Sequence, residues 1–188
     1  MLIFVSGYKD LADRRVSHKD SFVNTAITTT IECQTIRPTR VISTLSEDVV
    51  NGLFGEPRSL PPKYFYDERG SDLFDQICDA PEYYPTRTET GLLKTPVSGW
   101  VTEMAPASLV ELGAGSARKT RILLAAMAHE TPERIYAPVD VAGDFMRATA
   151  ESLRVEDPSL DVRLQIMDIT RVLDFVGDLP GPVLFALL

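Results

Sequence analysis

The sequence predicts an α/β fold, an open doubly wound parallel sheet with a short helical region in front of it. Three observations carry that expectation. Beyond Pro106, short apolar runs at 108–112, 135–139, 162–167 and 183–188 alternate with helical patterns, and strands separated by helices pair in parallel. The first run ends in a glycine-bearing turn, Gly113-Ala114-Gly115, of the kind that lets backbone approach a ligand closely. The chain has 188 residues, 44% of them hydrophobic, enough for one sizeable core.

Residues 1–42 mix charged residues with a Thr-rich stretch and hold no lasting apolar periodicity, so they read as a poorly ordered leader. Residues 43–106 read as a helical cap. Ser46 is placed to cap a short helix through Val49, Val50 and Leu53. Leu60-Pro61-Pro62 then breaks the chain, and Ser71 caps a second helix that carries Leu73, Phe74 and Ile77 on one face. Pro81 to Pro85 brackets a turn, after which Thr86 or Thr88 opens a helix towards Trp100, interrupted at Pro96. From residue 107 to 188 strand and helix alternate, with helices expected over 119–129 and 142–153 and a short helix or turn near 172–176.

The net charge of −8, without a dense basic patch, opposes binding to phosphate backbones and favours a small-molecule substrate. Cys33 and Cys78 stand far apart without metal-ligand spacing, so neither a disulfide framework nor a metal site is expected, and the cytoplasm is the expected compartment. The apolar opening run is too short for a signal peptide, and nothing predicts a membrane span.

Open parallel sheets bind ligands at the carboxyl ends of their strands. Three polar features fall there: the turn after Glu111, Asp140 ending the second strand, and Asp168 ending the third. Asp140 is placed to accept from both hydroxyls of a ribose, and Asp168 from an adenine amino group. The dinucleotide pattern GxGxxG fails at Arg118, where its third glycine would be. The phosphate-loop pattern, read on Gly113 to Thr120 as GAGSARKT, fails at the same residue. An acid ending the first strand, then GxG, then an Asp ending the second strand matches the Rossmann-like class I methyltransferases that use S-adenosylmethionine (SAM). Plainer roles stand beside these. Asp140 and Asp168 also suit turns, Lys119 a solvated helix start, and His129 a helix end. Tyr64, Phe65 and Tyr84 are expected as interior aromatics of the cap.

With Leu60 to Asp67 (LPPKYFYD), Gly70 to Ile77 (GSDLFDQI), Pro81 to Glu89 (PEYYPTRTE) and Val110 to Gly115 followed by Lys119-Thr120, the sequence resembles the histidine-specific N-alpha-methyltransferases of ergothioneine synthesis, from about Ser43 onward. The resemblance implies SAM as cofactor and L-histidine as substrate, its alpha-amine trimethylated to hercynine. It places Gly113, Lys119, Asp140, Asp168 and Ile169 at the cofactor, Tyr83 at the substrate amine and Tyr66 at the imidazole. No general base and no metal is implied. Ile169 stands where the family carries Phe. Such folds use about seven strands, and this sequence supplies about four. The expectation is therefore an incomplete Rossmann-like domain over 107–188, lacking most imidazole-gripping groups: a truncated monomer, or half of a pair completed by a second chain. An inactive SAM-binding remnant, or a methyltransferase for another amine, is the alternative expectation.

Overall fold

A computed structural model of the chain describes residues 2–6, 31–36, 43–65, 67–169 and 173–188. The strands are β1 (Leu2–Ser6), β2 (Glu32–Thr35), β3 (Ser108–Leu112), β4 (Ile135–Asp140), β5 (Asp161–Ile166) and β6 (Val183–Leu187). The α-helices are α1 (Leu45–Leu53), α2 (Glu68–Asp79), α3 (Tyr84–Leu92), α4 (Ser98–Met104), α5 (Thr120–Ala128) and α6 (Gly143–Glu156). One six-stranded sheet runs in the order β1-β6-β3-β4-β5-β2. Neighbouring pairs are parallel except β1, which lies antiparallel on β6 with Leu2 opposite Leu187.

β3 and β4 are buried along almost their whole length, as strands covered on both faces must be. Successive side chains point to opposite faces, and the packing follows that alternation. Leu109, Tyr136, Leu164 and Leu184 join one core, into which α4, α5 and α6 send Val101, Leu123, Met127 and Met146. Val110, Ala137, Val139 and Val183 face the other side, packed against Leu173, Phe175, Val176 and Leu179. Both α5 and α6 thus cover one face as the chain steps outward from β3 to β4 to β5. The segment 173–179 then crosses the opposite face to reach β6, on the far side of β3. The strand order reverses between β3 and β6, and that reversal opens a crevice at their carboxyl ends.

The expected strands and the helices after them are present, with ends shifted by at most three residues, and Pro96 sits in a π-helical turn, Leu93–Val97, between α3 and α4. The caps differ from expectation. Thr44 rather than Ser46 caps α1, through a reciprocal pair in which Glu47 N donates to Thr44 Oγ1 at 3.3 Å and Thr44 N donates to Glu47 Oε2 at 2.8 Å. Asp67 rather than Ser71 caps α2, accepting from Gly70 N at 2.7 Å. α3 begins at Tyr84, before either threonine. Each cap chosen by the fold lies N-terminal to the one chosen by pattern, because polar residues in a first turn mask the boundary. Phe65 and Tyr84 are 73% and 68% exposed rather than interior. Tyr64 is half-buried and donates to Asp48 at 2.6 Å.

Two segments of the stretch read as a leader, Leu2–Ser6 and Glu32–Thr35, are the edge strands of the sheet. Strand pairing comes from the partner's free backbone groups, which a search for periodicity within 1–42 does not see. Among the described residues no helix is long and apolar enough to cross a membrane.

Leu109 is completely buried at the centre of the sheet, whereas Val155 on α6 is among the most exposed apolar residues. Leu109→Ala is expected to cost about 2–5 kcal/mol in urea unfolding and Val155→Ala less than about 0.5 kcal/mol; equal effects would contradict the two-faced core.

Candidate functional site

The site begins where β3 ends. The chain leaves the strand through Gly113 and Gly115 at φ +72° and +50°, followed by Ala117 at φ +54°, left-handed backbone that glycine adopts without strain. A Cβ built on either glycine would meet nothing within 4 Å, so backbone conformation selects glycine there and the space above stays open. The turn is pinned to the end of β4. Gly113 N donates to Val139 O at 2.8 Å, and Gly115 N to Asp140 Oδ2 at 3.3 Å. Asp140 Oδ1 accepts from Ala142 N at 3.1 Å. One carboxylate thereby orients both loops that leave the central strands.

Beneath the turn lies Glu111, 2% exposed. Its Oε2 accepts from Thr120 Oγ1 at 2.6 Å and from Tyr136 Oη at 2.5 Å, joining β3 to the first residue of α5 and to β4. Burial disfavours the charged form, and the carboxyl is pushed up to about 7 although both hydroxyls pull the other way. Burial and the facing carboxyl raise the Tyr136 phenol well above its usual value.

A cavity of about 530 Å³ stands over this floor, within the size range of small-molecule sites. The glycine turn, Asp140, and Leu187 and Leu188 at the end of β6 form one side, and α2 and α3 with the turn between them form the other. Four polar contacts bind the two sides: Ser116 Oγ to Asp75 at 3.0 Å, Arg118 to Asp79 at 2.6 Å and to the Asp75 carbonyl at 3.4 Å, and Lys119 to Glu89 at 2.7 Å. The Lys119 ammonium holds Glu89 below the usual carboxylate range. Tyr83 lines the cavity at the start of α3, its ring edge-on to Phe74 of α2 with centroids 6.1 Å apart. Asp75, Glu89, Glu111 and Asp140 line the space against Arg118 and Lys119, an acidic balance that suits a cationic ligand.

Of the residues singled out from sequence, Tyr83, Gly113, Lys119 and Asp140 therefore share one cavity. Asp168 and Ile169 do not line it. They follow β5, where Met167 N donates to Asp140 O at 3.0 Å, one strand along from the cavity floor. Tyr66 lies outside the described residues. Glu111 was read as the acid that ends the first strand, but its buried triad with Thr120 and Tyr136 was not foreseen, nor were the cap acids Asp75 and Glu89. The charge at the end of the apolar run SLVEL was the available sign for Glu111. The cap acids carried no sign, because their partners lie 30 or more residues away. Among the described residues no group of acids, histidines and cysteines is arranged to hold a metal ion.

The raised Glu111 carboxyl predicts a pH dependence. Between pH 4.5 and about 7 the folded chain keeps a proton that the unfolded chain has released, so stability falls as pH rises through that window. Glu89, held low by its ion pair, titrates below it. The thermal midpoint should decline from about pH 5 to about pH 8, and Glu111→Gln should remove most of that slope. An unchanged slope in the variant would show that another group titrates.

The comparisons with known proteins agree with this arrangement. Residues 45–186 match the model of the histidine-specific methyltransferases, SAM-dependent. A histidine N-alpha-methyltransferase of Mycolicibacterium smegmatis is 45% identical over 118 residues, covering 63% of this chain and 37% of the relative. A protein of the same name from Mycobacterium tuberculosis is 43% identical over the same length, with the same coverage. An N-methyltransferase of Aspergillus fumigatus is 32% identical over 140 residues, covering 74% of this chain and 38% of the relative. The chain thus spans a little over a third of the length of the relatives it matches. With the matched region running from the cap helices to the last strand, the chain belongs to the SAM-dependent histidine-specific methyltransferase family.

Proposed function

We propose that this chain carries the cofactor-binding part of an enzyme that methylates the alpha-amine of L-histidine, giving hercynine, the first step of ergothioneine synthesis. The observation that carries the reading is the convergence of the glycine turn, Asp140, Lys119 and Tyr83 on one acid-rich cavity at the strand-order reversal. Identity to the two histidine N-alpha-methyltransferases is 43–45%, against 28% to a 4-dimethylallyltryptophan N-methyltransferase of Claviceps purpurea. That difference favours histidine over a bulkier indole amine.

The residues present fit the cofactor. The open backbone at Gly113 and Gly115 admits close approach, and Asp140, already fixed by two amides, keeps lone pairs for ribose hydroxyls. Lys119 supplies a cation for a carboxylate, in exchange with or beside Glu89. Asp168 and Ile169, next to Asp140 on the neighbouring strand end, are assigned to the adenine end. Bound SAM supplies a methyl group on a positively charged sulfur, transferred in line to a neutral amine. The protein's share is alignment and exclusion of water. Tyr83 is assigned to orient the amine through its hydroxyl, with Tyr66 assigned to the imidazole, and the electron-rich face of an aromatic ring favours the cationic product. The amine's proton leaves to water, so no side chain is required as a base.

The test is calorimetry with S-adenosylhomocysteine, followed by incubation with SAM and L-histidine and mass spectrometry for mono-, di- and trimethylhistidine. The chain is tested alone and co-expressed with the remaining portion of the Mycolicibacterium relative. Binding and methylated histidine are expected, and Asp140→Asn should weaken the cofactor analogue roughly tenfold. Absence of binding would overturn the cofactor reading. Binding with methylation of another amine in place of histidine would overturn the substrate.

A further inference from the structure

We propose that Arg87 is a positioning residue that sets Tyr83 in the cavity and, through it, the seat of the substrate amine. The second half of this inference rests on the role given to Tyr83 above. Arg87 lies in the first turn of α3, and its side chain folds back across the start of its own helix. Nη1 donates to Ala80 O at 2.9 Å and to Tyr83 O at 3.4 Å, and Nη2 donates to Pro81 O at 2.5 Å. Ala80 ends α2 and Tyr83 precedes α3. One guanidinium therefore gathers three carbonyls of the turn that presents Tyr83.

Helix dipoles alone do not select this placement: the start of α3 disfavours a cation, while the carbonyl end of α2 at Ala80 favours one. Arg87 is also exposed, and water could satisfy it if the side chain extended outward. The start of α3 has no side-chain cap, and Tyr83 sits at φ −87°, ψ 73°, outside the regular conformations. Besides the guanidinium, the turn is closed by Tyr83 N to Ala80 O at 3.1 Å and Tyr84 N to Glu82 O at 3.0 Å. The planar fork of arginine presents several donors in fixed directions, which a lysine ammonium on its flexible stem does not reproduce. What the fork fixes is the T-shaped approach of the Tyr83 and Phe74 rings across the turn.

Arg87→Lys and Arg87→Gln separate this role from simple charge. In the 188-residue protein with carbon-13-labelled tyrosine, the Tyr83 ring signals, assigned through Tyr83→Phe, report its packing on Phe74. Calorimetry on the protein co-expressed with the remaining portion of the Mycolicibacterium relative gives the affinity for S-adenosylhomocysteine and, in its presence, for L-histidine. Both variants should shift the Tyr83 signals and weaken histidine roughly tenfold, with the cofactor analogue within about twofold. Failure of lysine to rescue is expected, because the fork rather than the charge holds the turn. If Arg87→Gln does not fold, Arg87→Lys alone decides. Unchanged Tyr83 signals in a folded variant, or an equal loss for cofactor analogue and histidine, overturns the proposal. If the unaltered protein binds no histidine, the substrate reading fails, while the Tyr83 signals still decide whether Arg87 sets the ring.

Discussion

The rest of the site depends on a carboxyl group that the fold keeps out of water. Glu111 lies under the glycine turn, and two hydroxyls from different elements meet on one of its oxygens. Burying an acid is unfavourable unless it is hydrogen-bonded. The need to satisfy this one fixes how α5 starts, through Thr120, and how β4 stands beside β3, through Tyr136. The turn above inherits that rigidity: its glycines can hold left-handed backbone because both ends are tied, below to Glu111 and at the side to Asp140.

The two sides of the cavity are held by different physics. The sheet side rests on fully buried apolar side chains from two cores. The part of the cap before Leu93 does not: α1 and α3 bury no residue, in contrast to Leu93, Val97 and Val101 further on, and its ties to the turn are ion pairs and hydrogen bonds at the rim. Partly exposed pairs of this kind contribute little each, because water and mobile ions screen them. This part of the cap is therefore the lower-stability unit, and groups set by tight local geometry, such as the Tyr83 turn, matter more there than burial does.

What the sequence made legible follows the same division. β3 was readable residue for residue because a strand buried on both faces shows as an unbroken apolar run. Gly113 and Asp140 were readable because their positions follow from strand ends, and Lys119, a solvated helix start by pattern alone, was brought to the same cavity by the family resemblance. Contacts between the cap and the turn were not, since Asp75, Asp79 and Glu89 look like any solvated helix face until their partners come near. Phe65 and Tyr84 misled for the opposite reason: an aromatic near proline suggests burial, and here both lie on the outside of the cap. The edge strands escaped because pairing is decided by the neighbour, and β2, with all four residues exposed, carries no inward-facing pattern at all.

The antiparallel pairing of β1 on β6 has a kinetic consequence. Leu2 stands opposite Leu187, so this ladder can close only when all the chain between those two residues has been brought into a ring. The entropy of closing a loop grows with the logarithm of its length, and contacts between distant residues form slowly. β3, β4 and β5, joined by single helices, can assemble from near neighbours first. The outer ladder is then the last seam of the sheet to be sewn.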